Sequence, residues 1–313
     1  MNMLRRITTQ REFGIFAVVA GICIVMSFVS PIFLNPRNVQ AILLSLSLTA
    51  FVAVGMTNLM VSGGFDLSVG SLIGLVGVTV GVLIRSGAPL PLALLAGLGV
   101  GVLVGLFNGL MVAKVGMSPF IVTLAGLSLF RGLTYVVGNG QEQAQLGAAF
   151  NSVGQGSFLG VQLPIWYVIS FVIIGDFALR KVRFFRQNYY IGGNEKAARL
   201  SGIPVDRIKI INYVLMGVIT AVAAIVMASR LGAATMYSGT GVELQVITAV
   251  IIGGASLNGG EGTAFGSFLG ALLMVLITNI MTLIGVNIYW QQFAIGAVLL
   301  LAVLLDSLSI RGK

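Results

Sequence analysis

Histidine is absent and cysteine occurs once, at Cys23. Without histidine there is no Ser–His nucleophile pair, no imidazole metal ligand and no side chain of the usual proton-relay type. A single cysteine excludes an internal disulfide and a thiolate metal cluster. Charge is scarce as well: Asp, Glu, Lys and Arg supply 9% of the 313 residues, where soluble domains carry about 25%. Acid is the scarcer sign, with 9 Asp and Glu against 18 Lys and Arg. No G-x-x-x-x-G-K-[ST] sequence occurs, so the chain has no phosphate-cradling loop of its own. If ATP drives any process here, another polypeptide binds it.

What is present is apolar. Hydrophobic residues make up 57% of the chain, and the mean hydropathy of +1.03 leaves too little polar surface to cover a water-soluble globule. Uncharged runs cover 13–36, 38–65, 86–113 and 210–229. Each can supply the roughly 20 apolar residues of a bilayer-spanning helix. The run 262–305 is uncharged for 44 residues. As one helix it would measure about 66 Å against a hydrocarbon core of about 30 Å. It must turn, and Gly285-Val286-Asn287 is the place. The runs are continuously apolar rather than alternating, which predicts helices and not a barrel. The 42 glycines suit close helix packing in lipid.

The expected fold is all-α: a polytopic integral membrane protein, a single transmembrane domain over 1–313. About ten spans are predicted, at 13–33, 39–61, 67–84, 89–113, 119–137, 161–179, 209–228, 243–257, 262–284 and 288–305, some broken or re-entrant. The first apolar run lacks a small-residue cleavage site and reads as a retained span. With the N-terminus inside, every Lys and Arg except Arg37, Arg85, Arg131 and Arg230 falls on the cytoplasmic side. The net charge of +9 is thus mostly topological and does not point to nucleic acid. Both termini and segment 180–209 are expected in the cytoplasm, and 138–160 outside.

Two glycine-rich breaks interrupt the lipid-like sequence, Ser62-Gly63-Gly64-Phe65-Asp66 with Ser68 and Ser71, and Gly253-Gly254 running on to Asn258, Glu261 and Thr263. Their likeness is a weak internal echo. Both fall in one orientation, which does not fit an inverted repeat. Backbone broken inside lipid is tolerated only where protein or a polar cavity surrounds it, and transporters place substrates at such breaks. Asp66 either caps the following helix or contacts substrate. Glu261, Asn258 and Thr263 admit the same pair of readings, a tight loop or a contact. Arg131, near Phe120, Thr123 and Phe130, needs carboxylates such as Asp66 or Glu243, or helix-end carbonyls. Asn108 and Asn279 line a path or join helices, the latter worth about 0.6–2 kcal/mol.

Segment 180–209 holds Phe184, Phe185, Tyr189 and Tyr190, then Gly192-Gly193-Asn194. A short helical pattern follows, Glu195-Lys196-Ala197-Ala198-Arg199-Leu200, which Pro204 ends.

Taken together these stretches identify a family. Val54-Gly55-Met56-Thr57 leads into 62–71. Phe120-Ile121-Val122-Thr123-Leu124-Ala125-Gly126 is followed by Arg131-Gly132. Then come 192–203, Gly241-Val242-Glu243-Leu244 and Gly253-Gly254-Ala255-Ser256-Leu257. In order and spacing the chain resembles the permease subunits of bacterial ABC importers for ribose and related sugars. The resemblance implies a second permease copy, identical or paralogous, sharing one pathway. It also implies cytoplasmic ATPases that hold ATP and Mg²⁺, a periplasmic sugar-binding protein and residence in the inner membrane. No cofactor or metal is expected on this chain. Asn194, Glu195, Ala197, Ala198, Leu200 and Gly202 look like the coupling helix that docks into the ATPase. Phe65 stands where relatives commonly carry Ile. The competing reading, an ion-coupled carrier of a small polar solute, would require a richer set of intramembrane acids and would have no use for the Glu-x-Ala-Ala helix. A membrane enzyme would need a nucleophile–base pair, and none is recognisable.

Overall fold

The computed structural model describes residues 11–311. Arg5, Arg6, Lys313 and both termini, assigned above to the cytoplasm, lie outside the described residues. Thirteen helices are described, with four two-residue strands. In chain order they are α1 (Arg11–Val29), α2 (Pro36–Val61), α3 (Val69–Arg85), α4 (Leu90–Ala113), α5 (Pro119–Gly138), α6 (Ala148–Gln155), α7 (Leu163–Lys181), α8 (Arg183–Gly193), α9 (Glu195–Leu200), α10 (Val205–Leu231), α11 (Val242–Ile252), α12 (Ala264–Leu283) and α13 (Ile288–Arg311).

The helices begin where chain chemistry allows it. Asn35 accepts from the Arg37 N–H, with Pro36 in the first turn of α2. Pro119 opens α5 and Pro164 lies in the first turn of α7, positions where the missing N–H costs nothing. Thr263 caps α12 through the Gly266 N–H at 3.0 Å. The expected turn in 262–305 falls between α12 and α13, with Gly285 at φ +76°.

Seven helices are long and apolar enough to cross a membrane. They account for seven of the ten expected spans and make the chain an all-α polytopic membrane protein. The other three expected spans are shorter apolar helices, Val69–Arg85, Val242–Ile252 and Ile288–Leu304. Expected span 243–257 stops at Ile252 because Gly254 turns left-handed at φ +93°. Expected loop 180–209 contains a helix, α8, that was not anticipated, although Phe184, Asn188 and Ile191 follow a helical spacing. Segment 138–160 likewise contains α6. Its strand Gln143–Ala144 pairs antiparallel with Ala233–Ala234, and Ser157–Phe158 pairs with Val161–Gln162.

Small residues let backbones touch. A Cβ at Gly105 would lie 2.3 Å from the Tyr213 carbonyl oxygen, so α4 meets α10 directly. A Cβ at Gly270 would lie 1.9 Å from the Ala249 carbonyl oxygen, so α12 meets α11. In lipid such packing replaces the hydrophobic effect as the source of helix association. Around these seams Met56, Leu59, Met216, Met274 and Leu276 form a buried core.

The molecule has two distinct ends. Glu12 accepts from Thr263 and pairs with Arg180 at 3.5 Å; Lys114 pairs with Asp206 at 3.4 Å. These residues share an end with α9. At the opposite end Asn38 and Asn279 exchange amide hydrogen bonds, and Gln155 donates to the Arg230 carbonyl.

Candidate functional site

The centre of interest is the break between α2 and α3. The last turn of α2 unwinds through Ser62 and Gly63, the latter at φ +80°. Asp66 is 1% exposed. Its Oδ1 accepts from the Ser68 N–H at 2.7 Å and the Ser68 hydroxyl at 2.5 Å. Its Oδ2 accepts from the Asn108 amide at 3.2 Å, and that amide also reaches the Ser68 hydroxyl at 3.0 Å. The carboxylate therefore closes the turn that starts α3 and ties it to α4. Asn108 Oδ1 is buried without a hydrogen-bond partner. Phe65 packs obliquely on Phe120, ring centres 6.3 Å apart, with Phe120 half exposed. Thr123 is buried, its hydroxyl on the Pro119 carbonyl.

One turn along α3 lies a second cluster. Arg131 makes no ion pair with Asp66 or Glu243. It donates instead to the carbonyls of Met236 (2.5 Å), Ser238 (3.0 Å) and Gly70 (3.1 Å). Carbonyl capture satisfies a partly buried guanidinium without a second buried charge. A Cβ at Gly70 would lie 2.0 Å from Glu243 Oε2, an oxygen that is buried and has no hydrogen-bond partner.

The two glycine breaks, separate in sequence, meet in space. The Gly260 N–H donates to the Val61 carbonyl at 2.9 Å, which satisfies a carbonyl left free at the end of α2. Gly192, from α8, packs between them: a Cβ there would lie 2.0 Å from the Val61 oxygen and 2.5 Å from the Gly260 nitrogen. Two tyrosines tie the breaks down, Tyr213 donating to the Phe65 carbonyl and Tyr189 to the Gly262 carbonyl. Beside this knot three buried amides interlock. Asn188 donates to Asn58 at 2.7 Å, Asn58 to Asn212 at 3.0 Å and Asn212 to Asn188 at 2.9 Å. They join α8 to α2 and α10. Sequence inspection missed Asn58, Asn188, Asn212, Tyr189 and Tyr213 as site residues, because each is an ordinary polar residue on its own helix and only tertiary contact unites them. Asn258 and Glu261 sit exposed on the rim of the second break.

Immediately after Gly192-Gly193 comes α9. Asn194 caps it through the Ala197 N–H at 3.0 Å. Glu195 bonds Arg199 at 2.9 Å and Lys209 at 2.5 Å, and Arg199 also reaches Asp206 at 2.5 Å. Partial burial pushes the Glu195 carboxyl up, but the bonds from Lys209 and Arg199 outweigh it and hold it below the usual glutamate value. Ala198 is already covered, packed with Ile191, Val205 and Ile208. The helix therefore has a small core of its own, and Ala198 is not free to dock. Leu200 is different, 90% exposed. Gly202 adopts φ +79° with open space around it, so it serves the turn rather than a close approach. Asn279 is paired with Asn38 and remote from both breaks.

No group of three or more His, Cys, Asp or Glu able to hold a metal occurs among the described residues. A membrane bundle with a buried, protein-lined helix break and a short polar helix at the same end fits a transport protein. Residues 38–303 match the family described as branched-chain amino acid transport system / permease component, and the chain belongs to that family. It is 41% identical over 300 residues to the ribose import permease protein RbsC of Bacillus subtilis, covering 95% of this chain and 93% of that one. It is 39% identical over 294 residues to the L-arabinose ABC transporter permease protein AraH of Azospirillum brasilense, covering 94% and 86%. The AraH protein of Escherichia coli K12 is 37% identical, covering 96% and 92%. The resemblance read from residues 54–257 thus extends over nearly the whole chain.

Proposed function

We propose that this chain is the membrane-spanning subunit of an ATP-driven importer, forming the path for a monosaccharide of the ribose and arabinose class handed over by a periplasmic binding protein. The observation that carries it is end-to-end similarity to permeases whose names specify those two pentoses. A second permease copy completes the path, and a cytoplasmic ATPase holding ATP and Mg²⁺ supplies the energy. In this reading the chain resides in the inner membrane with the α9 end in the cytoplasm. Phe65, Asp66, Ser68, Asn108, Phe120 and Thr123 border the path near the first break, while Arg131 and Glu243 fix the loop beside it. Asn194, Glu195, Ala197 and Leu200 form the coupling face. Motion of α9 passes to α8, and from α8 through Gly192 and the Asn188 amide to both breaks.

Reconstitution with the cognate ATPase and binding protein tests this. Uptake of labelled ribose or arabinose should require hydrolysable ATP. Uptake that survives ATP depletion and collapses with a proton uncoupler would identify an ion-coupled carrier instead.

A further inference from the structure

Four arginines fall outside the α9 end. Arg37 and Arg85 are exposed, and Arg131 is satisfied by carbonyls. Arg230 is the exception. It is partly buried, and its guanidinium makes no hydrogen bond or ion pair among the described residues. It faces a cavity of about 310 Å³ between α2, α10, α11, α12 and α13 that no acidic side chain lines. Gln245, on the same wall, also makes no side-chain hydrogen bond. An arginine in a membrane segment with no partner in its own chain calls for one from outside, and an anionic group answers both its charge and its donors.

The lining tells which anion. Arg230 lies in the last turn of α10, Gln245 in the first turn of α11 and Gln291 in the first turn of α13, all at one end of the bundle. Deeper in, Leu48, Phe51, Val226, Val275 and Ile295 make the wall apolar. Of the four hydroxyls there, only that of Ser45 makes no hydrogen bond among the described residues. Ser47, Thr49 and Thr278 donate to carbonyls of their own helices. A polar, cationic rim above an apolar floor matches a molecule with an anionic head and a hydrocarbon tail. Depth agrees: Tyr289, Trp290 and Phe293, beside Gln291, are 58–81% exposed, and such a cluster marks the headgroup level of a bilayer.

We propose that this cavity seats an anionic phospholipid, its phosphodiester oxygens on Arg230 and Gln245 and the start of an acyl chain on the apolar floor. Guanidinium and phosphate match as a two-point, charge-assisted pair. The bound lipid would fasten α13 to α10 and α11.

The test uses the full chain in nanodiscs of phosphatidylcholine with a minor fraction of phosphatidylglycerol, followed by mass spectrometry of the lipids that stay bound after detergent release. The wild type should retain phosphatidylglycerol preferentially. Arg230→Gln should lower that retention about tenfold or more, the scale of losing charge-assisted bonds. Arg230→Lys should fall between, and Arg85→Gln, at an exposed arginine of the same end, should match wild type. In delipidated protein, phosphatidylglycerol should raise the melting temperature of wild type and not of Arg230→Gln, and inorganic phosphate should raise neither. Equal retention by wild type and Arg230→Gln, or equal loss in Arg85→Gln, overturns the site. Arg230-dependent stabilisation by inorganic phosphate alone overturns the lipid as occupant.

Discussion

At the scale of single residues, Asp66 carries the clearest physical role. Its two oxygens serve Ser68 and Asn108, three bonds around a carboxylate that is 1% exposed. Asp66→Ala strands the Ser68 N–H and one N–H of the Asn108 amide, whose bond to the Ser68 hydroxyl remains, at about 1–3 kcal/mol for each buried unsatisfied group. Asp66→Asn keeps one oxygen for Ser68. Its new NH₂ meets Asn108, whose own Oδ1 lacks a partner and turns to accept once that amide flips. We expect the Asn variant to stay within about 1 kcal/mol of wild type and to transport, while the Ala variant melts several degrees lower and transports poorly. If both fold well and are equally inactive, the charge itself meets substrate and the turn-closing role is insufficient. Glu195 gives a pH prediction. Its folded carboxyl sits below the usual value, so its support for α9 is fully present above the unfolded pKa of about 4.3 and is lost as pH falls through the folded value. The carboxylate is about 40% exposed, so solvent screens it and the effect is modest. A spin label at Ser201 should be equally immobile at pH 7 and pH 5 and loosen only in stronger acid. In Glu195→Gln it should be looser throughout and insensitive to that acid step; a wild-type label that loosens already at pH 6 would contradict the ion-pair account.

At the scale of elements, α9 shows how far sequence reading reached. Glu195–Leu200 was legible because a short helical pattern and a following proline are local signals, and the structure adds an Asn194 cap and an i,i+4 ion pair. That Ala198 is spent on an internal core and that Gly202 serves a left-handed turn was not legible, since both depend on α8 and α10 folding back. This changes which substitution tests docking. A bulky residue at Gly202 strains the turn whether or not anything docks there. Leu200 is almost fully exposed, so Leu200→Glu leaves the fold intact. If Leu200 inserts into an ATPase groove, its loss removes about 1.5–3 kcal/mol, or roughly ten- to hundredfold in affinity. Co-purification of the ATPase and sugar uptake should both drop while the melting temperature holds. Normal values for both would remove α9 as the coupling element.

At the scale of the whole molecule, the spans were readable because apolar run length reports directly on a bilayer, and seven long helices fall where such runs predict them. The breaks were readable as glycine clusters, but not their meeting, because a hydrogen bond from Gly260 to Val61 joins residues about 200 apart in the chain. That meeting sharpens the topology. Gly63, Gly192 and Gly260 touch, so both breaks must share the end that carries α9. Lys114, Arg180, Lys196, Arg199 and Lys209 gather at or beside that end, whereas Arg37, Arg85 and Arg230 lie at the other. On the positive-inside bias we expect α9 and both breaks to face the cytoplasm. Cys23 is the sole native thiol, so a Cys23→Ala background lets single cysteines report sidedness. A membrane-impermeant maleimide added to intact cells should label a cysteine at Gln155, in exposed α6, and spare cysteines at Lys196 and Asn258. After permeabilisation all three should react. Labelling of Lys196 and Asn258 with protection of Gln155 would invert the orientation. Labelling of Asn258 without Lys196 would separate the second break from α9 and refute the contact through Gly192, since one bilayer cannot place touching glycines on opposite sides.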